Sequence, residues 1–245
     1  MKQFFGTSQR GNLDEALQGL HHPQFIMLLS NDRQFDDHVK ALEQRFPGVP
    51  SIGCIGMCYQ IGVTENGVGV IAFSDGVSAA ANVLEQVSVM PVKYIQRLER
   101  DVQTVGGSGL DTVCIDFCSG NDACVLTTIN TVLHGRNIGL VGGTGDQGRV
   151  SANGRVCRDA VAYALVRNQN GRVKTYKENI YHQLGSYRFV ASDTDRANYI
   201  LGSLNGKPAK QVYKSILHVT DEEILTRTFQ NPFGKLNGDD TCIIS

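Results

Sequence analysis

Thr112-Val113-Cys114-Ile115-Asp116-Phe117-Cys118-Ser119-Gly120-Asn121-Asp122 is the stretch on which the fold reading turns. Its first part is an apolar run with one acid, of a length that suits a buried strand. Ser119 to Asp122 stop it with turn and cap chemistry. Leu126, Ile129 and Leu133 then recur at i, i+3, i+7, and Gly135 ends that stripe, which predicts a helix. Ile138-Gly139-Leu140-Val141-Gly142 reads as the next strand.

The same order of signals occurs earlier. Phe25-Ile26-Met27-Leu28-Leu29 is a continuous apolar run, Ser30-Asn31-Asp32 stops it, and Val39, Leu42 and Phe46 form the helical stripe that Pro47-Gly48 ends. Ile52-Gly53-Cys54-Ile55-Gly56 then matches the later strand as I-G-x-[IV]-G. The offset is 87 between Val39 and Leu126, Phe46 and Leu133, and Gly48 and Gly135. It is 86 across the glycine strands and 87 again between Asn66-Gly67 and Asn153-Gly154. A nearly constant offset argues for an internal duplication. The expected fold is mixed α/β, with strand–helix–strand halves at about 24–75 and 112–165, their sheets packed together and helices outside.

Outside the halves, Leu13, Leu17 and Leu20 follow Asn12 as a capped amphipathic segment. Ser78 to Met90 alternates like a strand, and a helix is expected from Pro91 to about Val105. Val156 to Arg167, Val173 to Tyr181 and Tyr187 to Ala191 read as successive strands, the first two joined by a hairpin at Asn168-Gln169-Asn170-Gly171. Helices are expected from Pro208 and after Thr220, with Glu223 completing a capping box. Asp240 to Ser245 reads as a strand without a following turn, which suggests that a further segment is missing.

With 245 residues, 41% hydrophobic and 19% charged, the composition is that of a globular protein that needs no disulfide staple. A net charge of -1 and the lack of a basic cluster argue against nucleic acid. Neither a signal peptide nor an apolar run of membrane-spanning length is found. Seven cysteines, an odd number, read as reduced thiols and so point to the cytoplasm. Their spacings do not suit zinc.

Gly142-Gly143-Thr144-Gly145-Asp146-Gln147-Gly148 contains G-x-G-x-x-G after a strand. The dinucleotide reading also needs a helix to open at the last glycine, and Arg149 to Gly154 leads into an Asn-Gly turn instead. The loop can still offer backbone N–H groups and the Asp146 carboxylate to a ligand, or Asp146 can simply cap its own turn. Gly53 and Cys54 would lie on the opposite wall of a shared crevice. His134 and His218 end helices, where they complement the dipole, and His38 sits on a face read as solvated. His182 has no such structural role and is a candidate ligand contact or haem ligand. No nucleophile–base constellation is found; Cys118, at a strand end before a helix, and Asp146 are what an enzyme would have to use.

Taken together, the strand with Ser30-Asn31-Asp32, Phe46-Pro47-Gly48 before Ile52-Gly53-Cys54, Val70-Ile71-Ala72-Phe73-Ser74, Gly142 to Asp146 before Asn153-Gly154, and Leu204-Asn205-Gly206-Lys207-Pro208-Ala209 leading to Tyr213 resemble the FIST domain, in the family's order. Asn231-Pro232-Phe233-Gly234 followed by Gly238-Asp239 looks like the opening of that family's C-terminal part, so 1–195 would be the N-terminal domain and 196–245 the start of the next. The family's Gly-Trp has no counterpart in a chain without tryptophan; Tyr181-His182 stands nearby. The resemblance implies a bacterial sensory domain that binds a small molecule, an amino acid or related metabolite, and relays to an output module such as a chemotaxis receptor or histidine kinase. It also implies that haem is possible, since some members sense nitric oxide. The ligand-binding set expected on these grounds is Gly53, Cys54, Gly143, Thr144, Gly145, Asp146 and His182.

Overall fold

The structure is a computed structural model that describes residues 1–56, 58–59, 63–89, 91–120, 122–176, 181–195, 200–237 and 240–244. Met90, Asn121, Gly238, Asp239 and Ser245, named above, lie outside the described residues. Contacts divide the chain into one unit from Met1 to Tyr176 and another from Lys177 to Ser245.

The first unit carries strands β1 (Lys2–Ser8), β2 (Phe25–Ser30), β3 (Ser51–Ile55), β4 (Cys58–Tyr59), β5 (Val63–Thr64), β6 (Val68–Ser74), β7 (Val77–Glu85), β8 (Thr112–Cys118), β9 (Gly139–Thr144), β10 (Val150–Ala152), β11 (Arg155–Cys157) and β12 (Ala160–Asn168). Its helices are α1 (Leu13–Ala16), α2 (Phe35–Arg45), α3 (Ile95–Val105) and α4 (Asp122–His134). One sheet runs β1-β6-β2-β3-β10-β11 and a second runs β7-β12-β8-β9, while β4 and β5 form a separate hairpin. Within each large sheet the central strand–helix–strand pair is parallel, β2 with β3 and β8 with β9, and the other pairings are antiparallel.

Burial follows from side-chain alternation. In β2, Ile26 and Leu28 join the cluster under α1 and α2, while Phe25, Met27 and Leu29 face the other sheet. Both faces are covered, which is why the run is apolar throughout. β12 shows a sharper division. Ala160, Ala162 and Ala164 meet the first sheet, and Val161, Tyr163 and Leu165 meet the helices α3 and α4. Small residues on the inner face let the two sheets approach; large ones fill the helix side. The order is helices, sheet, sheet, helices, as the sequence predicts.

The duplication extends beyond the predicted halves, since β1-α1-β2-α2-β3-β6 and β7-α3-β8-α4-β9-β12 share one topology. Hydrogen bonds fix the correspondence. Gly56 N–H donates to the Ser30 carbonyl and Gly145 N–H to that of Cys118; Asn31 N–H donates to Gly67 and Ser119 N–H to Ala160. Gly53 pairs with Leu28, and Gly142 with Asp116. The true partner of Gly53 is therefore Gly142 and that of Gly56 is Gly145, an offset of 89 rather than 86. Repeated G-x-x-G spacing allowed the three-residue slip. The Asn-Gly turns are not equivalents either: Asn153-Gly154 turns between β10 and β11, whereas Asn66-Gly67 leads into β6.

Several expected features differ: residues 187–190 are not strand, and the run Val156–Arg167 is divided between β11 and β12. The stripe that α4 buries is Val125, Ile129 and Leu133, leaving Leu126 outside the core. The hairpin at Asn168–Gly171 does not form, and residues 172–176 are not strand. β12 already has β7 on one side and β8 on the other, so neither edge is open to a further strand. Val173 N–H instead donates to the Leu110 carbonyl. Of the expected strand ending at Tyr181, residues 177–180 lie outside the described residues.

The second unit contains β13 (Ala191–Asp195), β14 (Ile200–Leu204) and β15 (Lys207–Pro208), then α5 (Ala209–Leu217), α6 (Ile224–Gln230), β16 (Phe233–Asn237) and β17 (Asp240–Ile244). Asn205 and Gly206, both at positive φ, turn β14 into β15, and α5 starts directly after Pro208. Leu204, Ala209 and Val212 form its small core, with Tyr213 set edge-on to Phe233. Glu223 Oε2 accepts from Thr220 N–H at 2.8 Å, the expected reciprocal half of a capping box.

Candidate functional site

A cleft of about 730 Å³ opens between the helix-facing side of the β8–β9 pair, helix α4 and residues 173–175. Alternation decides what lines it. On β8 the residues turned toward α4 are Thr112, Cys114, Asp116 and Cys118, so the single acid of the apolar run points to the helix side and not between the sheets. Helix α4 contributes Leu126, Asn130 and His134, spaced four apart and hence on one face. Asn137, Lys174 and Thr175 close the rim.

Asp116 is 2% exposed. The Cys118 thiol donates to its Oδ2 at 3.3 Å. Its other oxygen lies over Gly142: a Cβ there would stand 2.1 Å from the Asp116 carbonyl oxygen and 2.2 Å from Oδ1. Only glycine permits that approach, and the absent side chain leaves the carboxyl group at the cleft wall. Nearby Cys114 is fully buried, and burial pushes its thiol well above the ordinary range.

The sequence-predicted ligand residues are distributed unevenly. Gly143 lines the cleft. Thr144 ends β9 beside it. Gly145 is buried, and a Cβ on it would meet Cys54 Cβ at 2.8 Å. Cys54 lies in the core between the sheets, and Gly53 is closed in by Leu28 and by Ser151 of β10. The glycine strand of the first half is therefore covered while that of the second lines the cleft, so the two do not face each other across a shared crevice. Asp146 is exposed and accepts from Gln147 N–H at 2.8 Å, capping its own turn. A single 3-10 turn, Asp146–Gly148, leads to β10, and no α-helix opens at Gly148. His182 is exposed and belongs to the second unit.

Arg149 anchors this glycine loop. Its guanidinium bonds the Asp32 carboxylate and carbonyl and reaches Asp36 Oδ1 at 2.6 Å, both residues lying around the start of α2, and it lies 5.8 Å from the Phe35 ring centre. The second half is thus clamped to the helix of the first. Another misreading concerns His38. It is buried, with Nε2 donating to the Gly11 carbonyl at 3.0 Å, so Nδ1 accepts from the Ser30 hydroxyl at 2.7 Å. Burial lowers its pKa.

Haem does not fit these residues. His182 lies in an exposed stretch that includes Gln183, Leu184 and Tyr187, so its imidazole is not enclosed as an axial haem ligand is. His134 faces a cleft whose walls include Asp116, Asn130, Asn137 and Lys174, a polar surface ill suited to a porphyrin face. Among the described residues there is no group of three His, Cys, Asp or Glu side chains able to hold a metal ion.

Sequence reasoning noted Asp116 only as an interruption in an apolar run. Its period-two relation to Cys114 and Cys118, with glycine on the neighbouring strand, was the available signal. No helix among the described residues is long and apolar enough to cross a membrane. No curated protein matches the chain. Residues 24–207 match the family model described as FIST N domain, and the chain belongs to this family of signal-transduction sensory domains.

Proposed function

We propose that this protein senses a small polar metabolite in the cleft between β8, β9 and α4, and relays its presence to a signal-transduction output module. The observation that carries the reading is Asp116, a buried carboxyl group at the wall of a cleft on a sensory-domain scaffold. It suits an ammonium or guanidinium group, while Asn130, Asn137, His134 and Lys174 suit a carboxylate or other acceptor on the same ligand. Amino acids and related amines have that combination. Gly143 and Thr144 would contribute from β9, with Gly145 and Asp146 shaping the loop beyond it. Gly53 and Cys54 would act through packing. The output partner, a chemotaxis receptor or histidine kinase, and a cytoplasmic location belong to the same proposal.

Thermal-shift titration of the purified chain with individual amino acids and amines tests it. A binding ligand raises the melting temperature with concentration by mass action. Asp116→Asn keeps the shape and removes the carboxyl group, and Lys174→Ala probes the exposed rim without touching the core. The expected result is a shift that Asp116→Asn abolishes and Lys174→Ala weakens, with the unliganded variants still folded by circular dichroism. A shift unchanged in both variants would place the ligand elsewhere. No shift with any amino acid or amine would remove the ligand class.

A further inference from the structure

The two halves differ at one sheet edge. In the first, the outer edge of β3 is covered by antiparallel β10, with Ile52 opposite Ala152, Gly53 opposite Ser151 and Cys54 opposite Val150. The equivalents on β9 are Val141, Gly142 and Gly143. β9 is the end strand of its sheet, and no strand among the described residues pairs with its outer edge. Thr175 packs beside Gly139, so the start of the strand is guarded. Among the described residues, the part without a covering strand is the three residues whose counterparts are covered in the other half. They are exposed, Val141 by 37%.

Sheet edges left open in monomers are usually protected by charge, proline or a bulge. The Val141-Gly142-Gly143 segment has no charge or proline, and its pairing with β8 is regular. Its sequence is also self-complementary. Antiparallel pairing of two copies about Gly142 sets each Val141 opposite the other copy's Gly143, where a side chain has open space within 4 Å. That arrangement is isologous, and it reproduces the small-residue pairing that β10 makes over Gly53.

From this we infer that the edge of β9 at Val141–Gly143 is a docking surface for a second copy of the chain, joining two four-stranded sheets into one. The interface is short, so association is weak and concentration-dependent. Gly142 also walls the cleft at Asp116, so the same strand meets the proposed ligand site on its face and the second copy on its edge. The docking surface itself does not depend on the ligand reading.

Sedimentation velocity over a wide concentration range, paired with hydrogen exchange, tests the inference. The wild-type chain is expected to shift from monomer to dimer as concentration rises, with amide protection at residues 141–143 rising in step. Val141→Glu places like charges across the twofold at an exposed position, so the fold is retained while dimerisation weakens by about tenfold or more. Gly143→Lys, also at a site with room for a side chain, should act in the same direction. A chain that stays monomeric at every concentration overturns the inference. So does concentration-independent protection at 141–143, which would mean the edge is covered from within the chain. A dimer that survives both substitutions places the contact elsewhere.

Discussion

Gly142 and Gly143 are adjacent, both on β9. The structure assigns them opposite tolerances. An alanine methyl at Gly142 would stand 2.1 Å from the Asp116 carbonyl oxygen, whereas ordinary contact begins at 3.4 Å. Relief requires a movement of more than an ångström, and the obstructing atom is backbone, held in β8 between β9 and β12. Overpacking costs about 1–3 kcal/mol where side chains can adjust, and a fixed carbonyl puts this case at the upper end, about 3 kcal/mol. For a unit of this size that lowers the melting temperature by about 6–12 °C. At Gly143 nothing lies within 4 Å of the added carbon and φ is not positive. Gly143→Ala should be neutral or stabilising by about 0.5 kcal/mol, through reduced freedom of the unfolded chain. Urea denaturation of both variants, followed by circular dichroism beside thermal melts, gives the comparison. If Gly142→Ala melts within about 2 °C of Gly143→Ala, then the β8–β9 register is wrong, and with it the placement of Asp116 at the cleft wall.

Two further tests address the rest of the first unit. Arg149→Met should destabilise by about 1–2 kcal/mol, because its bonds are charge-assisted but Asp32 and Asp36 are half-exposed and screened. The loss measured by chemical denaturation should shrink in high salt, and a salt-independent loss would assign the effect to packing on Phe35. His38 has a folded pKa below the ordinary 6.5 through burial, so the unfolded chain binds the proton more tightly. Stability should therefore hold above about pH 6.5 and fall as the pH drops from there toward the folded pKa. The slope of urea stability against pH should flatten in His38→Gln; an unchanged slope would show that another group carries it.

The halves and the layers were legible because their signals are local. Apolar runs of strand length, helical stripes and glycine or proline stops each depend on a few neighbouring residues, and repetition at a near-constant spacing made the duplication visible. Which face a residue takes was harder. His38 sits beside Asp36 and Asp37 and reads as solvated, yet the helix buries it against Gly11 and Ser30. Asp146 in a glycine loop reads equally as a ligand contact or as the cap of its own turn, and its Oδ1 accepts from Gln147 N–H. Asp116 reads as an interruption, and it is the acid at the cleft.

What the amino-acid sequence determined by itself was the class of fold, the number and order of the central elements and the family to which the chain belongs. Only the tertiary structure decided the pairing of the glycines, the failure of the Asn168–Gly171 hairpin and the position of the cleft. Each of these depends on strand register and on which edges are already occupied. A three-residue slip between G-x-x-G repeats costs nothing in local pattern, but it changes which glycine lies over Leu28 or Asp116. β10, encoded in the second half, completes the sheet of the first, and among the described residues no equivalent strand covers the edge of β9. That asymmetry comes from contacts far apart in the chain, which local spacing does not encode.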